Sequence, residues 1–227
     1  IGGLLKFSLI NYPGKIACAI FTQGCPFRCG FCHNPELVLK EKFLPRITEE
    51  EVFSFLEKKK DQLDGVVISG GEPTIQKDLI DFIKKIKKLN YFVKLDTNGI
   101  HPKIIQSLLD DNLLDYIAMD IKAPFEKYNR VIGISTNIEN IKKSIDIIIN
   151  SDIDHEFRST IISDVHTEND IISMAKQIKC AKLFVLQKFR AEKTLCDTYR
   201  LKKPISDKTL QSLKKVLQQY VKTCQFR

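Results

Sequence analysis

The fold class this sequence predicts is α/β, a partial, splayed (β/α)6 TIM-like barrel, on three observations. Six short apolar, β-branched runs recur along the chain, longer lysine-rich segments of helical period separate them, and the unusual polar words fall at the ends of the runs. Strands alternating with helices make parallel βα units, and six units are too few to close an eight-stranded barrel with a packed interior. With 227 residues, 43% of them hydrophobic, the chain can bury one substantial core, so residues 1–227 are expected to form a single domain.

The strands are placed at Ile16–Thr22, Gly65–Ser69, Phe92–Asp96, Tyr116–Ile121, Glu156–Ile162 and Lys182–Gln187, where apolar residues run together too briefly for a helix. Helix starts are marked between them. Thr48 with Glu51, Thr136 with Glu139 and Thr167 with Asp170 have capping-box spacing, in which a hydroxyl accepts from the amide three residues on and a carboxylate reaches back. Pro73 and Pro102 suit first helical turns, where no amide hydrogen is needed. Ser206 caps a last helix that carries Leu210, Leu213, Leu217 and Val221 on one face.

On that frame the polar words gather at one rim. A cysteine loop follows the first strand, Gly70-Gly-Glu-Pro73 the second and Asp96-Thr-Asn-Gly99 the third. Asp120-Ile-Lys122 ends the fourth, Arg158-Ser-Thr160 lies in the fifth and Gln187-Lys-Phe-Arg190 ends the sixth. Parallel βα architectures collect functional groups at the carboxyl ends of their strands.

The cysteine loop carries the most chemistry. Cys25, Cys29 and Cys32 are spaced C-x3-C-x2-C, with no fourth cysteine near in sequence. Three thiolates can hold three corners of an iron–sulfur cube and leave one iron open to substrate or cofactor. The alternative is a zinc site completed by His33 or a distant cysteine, although zinc ligands usually come as two separated pairs. The other cysteines, Cys18, Cys180, Cys196 and Cys224, are scattered and form no disulfide framework, so a reducing, cytoplasmic setting is expected. No apolar run approaches the length of a membrane span. The net charge of +8 comes mostly from lysine clusters such as Lys58-Lys-Lys60 and Lys84-Lys85, without interleaved aromatics, and reads as solvated helix faces, not a nucleic-acid surface.

The cysteine triplet with Phe31 before its last member resembles the signature of the radical S-adenosylmethionine enzymes. The words Ser8-Leu-Ile-Asn-Tyr-Pro-Gly14, Phe21-Thr-Gln-Gly-Cys25 and Cys32-His-Asn-Pro-Glu36 resemble the activating proteins of anaerobic ribonucleoside-triphosphate reductases. Asn11 stands where that pattern has Asp. The resemblance implies a [4Fe–4S] cluster on Cys25, Cys29 and Cys32, with S-adenosylmethionine chelated at the open iron and cleaved by one electron to a 5′-deoxyadenosyl radical. No side chain is then catalytic in its own right, because the cofactor-derived radical does the chemistry.

The same resemblance places the backbone of Gly70, Gly71 and Glu72 at the cofactor's ammonium group; a tight βα turn is the competing account of the glycines. Asp96, Thr97 and Asn98 are set near ribose or carboxylate. Asp96, Thr97 and Asp120 are candidate ligands of a monovalent cation, with Lys122 nearby, while a type I′ turn at Asn98-Gly99 and an Asp120–Lys122 surface ion pair are the structural alternatives. Phe31 is offered as a face for adenine or a buried loop anchor. Arg158 and Arg190 can hold a carboxylate or the backbone of a substrate, with ordinary rim salt bridging as the alternative. His33 and Asn34 are expected to shape the loop by hydrogen bonding, and Arg130-Val-Ile-Gly133 looks like a radical-bearing glycine motif, but Gly133 is read as a loop residue.

The implied partners are the large subunit of an anaerobic ribonucleotide reductase and a reduced flavodoxin or ferredoxin as electron donor, with no nucleic acid and no membrane. Activation of another glycyl radical enzyme, small-molecule chemistry such as that of 7-carboxy-7-deazaguanine synthase, and a noncatalytic iron–sulfur or zinc module are the alternatives.

Overall fold

The six apolar runs are strands of one sheet in the computed structural model, which describes residues 1–227. They are β2 (Ala17–Thr22), β3 (Gly65–Gly70), β4 (Phe92–Thr97), β5 (Tyr116–Asp120), β6 (Asp154–Ile161) and β7 (Leu183–Lys188), all parallel and hydrogen-bonded in sequence order. Two further strands extend the sheet beyond the sequence reading. β1 (Gly3–Ser8) pairs antiparallel with β2, and β8 (Thr223–Phe226) pairs parallel with β7. The sheet order runs β1 to β8 with no β1–β8 pairing, so the barrel is open. Both extra strands lack the usual signal. β1 exposes three of its six residues, Leu5, Lys6 and Phe7, and β8 has four residues of which only Cys224 is buried.

The helices are α1 (Pro35–Val38), α2 (Glu49–Lys58), α3 (Leu79–Lys88), α4 (Pro102–Asp110), α5 (Tyr128–Ile132), α6 (Ile138–Ile149), α7 (Glu168–Gln177) and α8 (Asp207–Leu217). None is long and apolar enough to cross a membrane. The boxes at Thr48/Glu51 and Thr167/Asp170 form with both hydrogen bonds present, and Pro102 occupies the first turn of α4. Thr136 does not cap α6. Its amide donates to Asn129 Oδ1 at 3.1 Å, which holds it in the preceding loop, and Asn137 takes the N-cap by accepting from the Glu139 amide at 3.1 Å. Ser206 caps α8 as expected, although Val221 lies beyond the helix end. Gly133 lies just past α5 as its C-cap, at φ +73, the left-handed conformation, and an added Cβ there would come within 2.6 Å of the Arg28 carbonyl.

Apolar residues on both faces of the central strands, such as Val66, Ile68, Val93, Leu95, Ile117 and Met119, fix the strand register. The period of two then puts Lys94 with Asp96, and Glu156 with Arg158, on common faces. Four charged side chains are thereby brought together inside the open barrel.

Candidate functional site

β2 ends in a loop without regular structure that carries all three clustered cysteines, and its own contacts define its path. Arg28 donates from NH1 to the carbonyls of Cys25 (2.7 Å) and Phe27 (2.8 Å), and its amide reaches Ile132 (2.8 Å). From the far side, the Cys196 amide donates to Gly30 O at 2.9 Å, and the ring of Tyr199 lies 6.0 Å from that of Phe31. An added Cβ at Gly30 would meet that tyrosine at 2.3 Å, so any larger residue there would displace the Tyr199 ring. Cys25, Cys29 and Cys32 line one cavity of about 290 Å3. Burial pushes the Cys25 thiol up to about 12; it also dominates at Cys29, held at about 11 although Lys122 pulls the other way. As free groups they are protonated, and a bound metal would have to replace the proton. No three His, Cys, Asp or Glu side chains gather closely enough to hold a single metal ion.

The same cavity is lined by Phe31, Gly70, Gly71, Glu72, Asp96, Thr97, Asn98, Asp120, Lys122 and Arg158. Arg190 lies outside it. The close approach made possible by the glycines is to protein: an added Cβ would meet Thr22 N at 2.2 Å at Gly70 and Gly24 O at 2.1 Å at Gly71. The amides of Gly71 and Glu72 donate to Thr22 O and Gly24 O at 2.9 and 2.8 Å, tying this turn to the root of the cysteine loop. Gly71→Ala is therefore expected to lower iron loading as well as cofactor affinity, measured by iron analysis and by calorimetry on reconstituted protein. Full iron content in the variant would contradict the coupling.

Glu72 is wholly buried and acts as a clamp. Oε1 accepts from the Thr74 amide (3.0 Å), Thr74 Oγ1 (2.6 Å) and Thr97 Oγ1 (2.7 Å), and Oε2 accepts from the Asn98 amide (2.7 Å). Burial raises its pKa against these hydrogen bonds. A carboxylate so occupied organises two strand-end loops instead of reaching a ligand. Glu72→Ala would leave four donors unpaired and is expected to cost roughly 3 kcal/mol or more in urea unfolding, since each buried unsatisfied group costs about 1–3 kcal/mol. A loss below about 1 kcal/mol would refute the clamp. Asn98 has a side chain that accepts from the Ile100 amide at 3.0 Å and an Nδ2 that lies 3.8 Å from Cys25 Sγ. Only Gly99 of the pair has positive φ, so the turn is not type I′.

Arg158 joins the two aspartates. Its NH1 lies 3.2 Å from Asp96 Oδ2 and its Nε 3.0 Å from Asp120 Oδ1, while Lys122 Nζ takes Asp120 Oδ2 at 2.9 Å. Burial alone would raise the Asp120 carboxyl, but Lys122 and Arg158 outweigh it and hold it at about 2. The carboxylates offered as cation ligands thus already have side-chain cations against them. Asp96 Oδ1, which faces Lys94 Nζ at 3.6 Å, is nonetheless a buried acceptor with no hydrogen bond. Phe31 is 4% exposed and lines the cavity, so it serves both as loop anchor and as wall. Asn34 makes no side-chain capping bond.

Sequence reasoning missed Lys94 and Glu156. Lys94, 2% exposed, donates to the Asn11 carbonyl at 2.7 Å and lies 3.5 Å from Glu156 Oε1. Their signal was present in the period of two, which sets each beside a residue already singled out, Asp96 and Arg158.

Residues 19–178 match the sequence profile of the radical SAM superfamily. A protein of Methanocaldococcus jannaschii that bears the provisional name glycyl-radical enzyme activating enzyme is 34% identical over 97% of this chain and 92% of its own length. The pyruvate formate-lyase-activating enzyme of Clostridium pasteurianum is 32% identical over 54% of this chain and 52% of its own length, so this chain spans about half of it. The fold is shared with Streptococcus suis SuiB bound to its precursor peptide, at a TM-score of 0.70 and 14% identity over 92% of this chain and 48% of SuiB.

Proposed function

Since the chain belongs to the radical SAM superfamily, whose members use a [4Fe–4S] cluster and S-adenosylmethionine, we propose that it is an activating enzyme that generates a glycyl radical on an anaerobic ribonucleoside-triphosphate reductase. One observation carries the reading: three cysteines without a fourth line a cavity together with the glycine turn and the Asp96–Asp120 face, on a barrel open at one flank. The activase names of the relatives support the class, and the Ser8–Gly14, Phe21–Cys25 and Cys32–Glu36 words favour the reductase as target.

The residues fit the cofactors. Cys25, Cys29 and Cys32 would hold the cluster, whose thiolates the nearby Lys122 would stabilise. Asp96 Oδ1 offers a buried acceptor for a hydroxyl or ammonium of S-adenosylmethionine, and Phe31 a flat apolar wall. Together the bound cofactors supply a carbon-centred radical able to abstract an unactivated hydrogen. The chain's own part is to fix the cofactor against Asp96, Asn98 and Arg158 and to admit a glycine loop through the open flank. Contact distance and exclusion of water are what it contributes.

Incubating the reduced, reconstituted protein and S-adenosylmethionine with an anaerobic ribonucleotide reductase is expected to produce a glycyl signal in paramagnetic resonance on the reductase. Arg190→Ala should lower that signal more than it lowers uncoupled cofactor cleavage. Cleavage without any radical on the reductase would defeat this target and favour another glycyl radical protein or a small molecule.

A further inference from the structure

A second cavity, of about 480 Å3, adjoins the cysteine-lined one and shares the Arg158 wall with it. Four more cations line it, Lys94, Lys188, Arg190 and Arg227, against the single carboxylate of Glu156. Glu156 is already occupied by Lys94 at 3.5 Å and Arg227 at 3.3 Å, and Arg158 by the two aspartates behind it. Lys188 pairs with Asp207, whereas Arg190 is exposed and forms no salt bridge. One apolar residue, Ile10, lines the cavity and is 84% exposed.

An unneutralised guanidinium in a cavity that also carries the exposed Ile10 matches an amphipathic segment of polypeptide. A small hydrophilic anion would find no use for Ile10. We propose that this cavity binds an acidic side chain of the polypeptide that presents its glycine to the cysteine-lined cavity, an assignment that rests on the activase reading. Arg190 forms the charge-assisted contact, Lys188 adds attraction, and Ile10 covers an adjoining apolar residue of the segment. Since the two cavities share a wall, the anion anchors the segment and sets which of its residues reaches the radical.

Two labelled peptides centred on glycine, one flanked by glutamate and the other by glutamine, test this with anaerobically reconstituted protein and S-adenosylmethionine. The glutamate peptide is expected to bind about tenfold more tightly by fluorescence anisotropy, an advantage that shrinks with salt. Arg190→Gln should remove most of the advantage and Lys188→Gln part of it; both residues are on the surface, and unchanged circular dichroism would exclude misfolding. Equal binding of the two peptides overturns the proposal, as does an undiminished advantage in Arg190→Gln. Displacement of the glutamate peptide by inorganic phosphate, but not by chloride at equal ionic strength, overturns it in favour of a small anion. The outcome is separable from that of the activase reading: a reductase left without a radical while the peptides are still discriminated defeats the target and upholds the anion site.

Discussion

Alanine at any one of Cys25, Cys29 and Cys32 is expected to abolish the iron–sulfur cluster and reductive cleavage of S-adenosylmethionine. The three thiols line one cavity, and no cysteine stands spare beside them to take over a corner. Cys18 is buried in β2 with its thiol pushed up to about 12, and Cys224 in β8 with its thiol at about 11, both by desolvation. Losing one ligand of three leaves two irons with incomplete coordination and opens the loop to solvent. Iron and sulfide analysis, paramagnetic resonance of the reduced protein and chromatography of 5′-deoxyadenosine measure the loss. Cys180→Ser, at an exposed position, should match the parent in all three. A triplet variant with a normal cluster and normal cleavage would refute the assignment.

Removal of Arg158 is expected to have the largest effect on the folded cavity. Arg158→Met leaves Asp96 without its 3.2 Å partner and Asp120 without its 3.0 Å partner. Breaking a buried pair by deleting one member costs roughly 3–5 kcal/mol, and the partial exposure of both aspartates sets the lower end of that range. The Asp120 carboxyl, held at about 2 by Lys122 and Arg158 against its burial, should then rise toward its ordinary value of 3.8. A depressed carboxylate pKa stabilises the fold above the unfolded value, and the gain is lost as pH falls through the folded one. The parent should therefore exceed the variant in stability at about pH 7, with the gap closing as pH falls from about 4 toward about 2. Urea unfolding of the apoprotein across that window measures it. Arg158→Lys, whose single ammonium cannot serve both carboxylates as the planar fork does, should fall between the two. A gap that is independent of pH would show that Arg158 contributes packing and not charge.

The β2 to β7 strands were legible because each is a local apolar run, and the cysteine triplet because all its members lie within eight consecutive residues. The convergence of the Gly70, Asp96, Asp120 and Arg158 words on one cavity followed from parallel topology, which sends every strand's carboxyl end to the same rim. Local signals also identified the caps at Thr48, Thr167 and Ser206, where donor and acceptor are three residues apart.

By itself, then, the sequence determined the six central strands and which loops meet at the rim, since both depend on interactions between near neighbours and on one topological rule, whereas β1 and β8 join through pairing alone. Tertiary structure alone decided what those residues do to each other. Glu72 binds Thr97 and Asn98 across 25 and 26 residues, Arg158 reaches Asp120 across 38, and Lys94 approaches Glu156 across 62. The glycines of the Gly70-Gly71 turn accommodate the root of the cysteine loop, and Thr136 yields its cap to Asn137 because Asn129 holds its amide. Hydrogen bonds and ion pairs at such separations depend on positions to within about an ångström, and no periodicity or spacing encodes them until the sheet has brought the chain together.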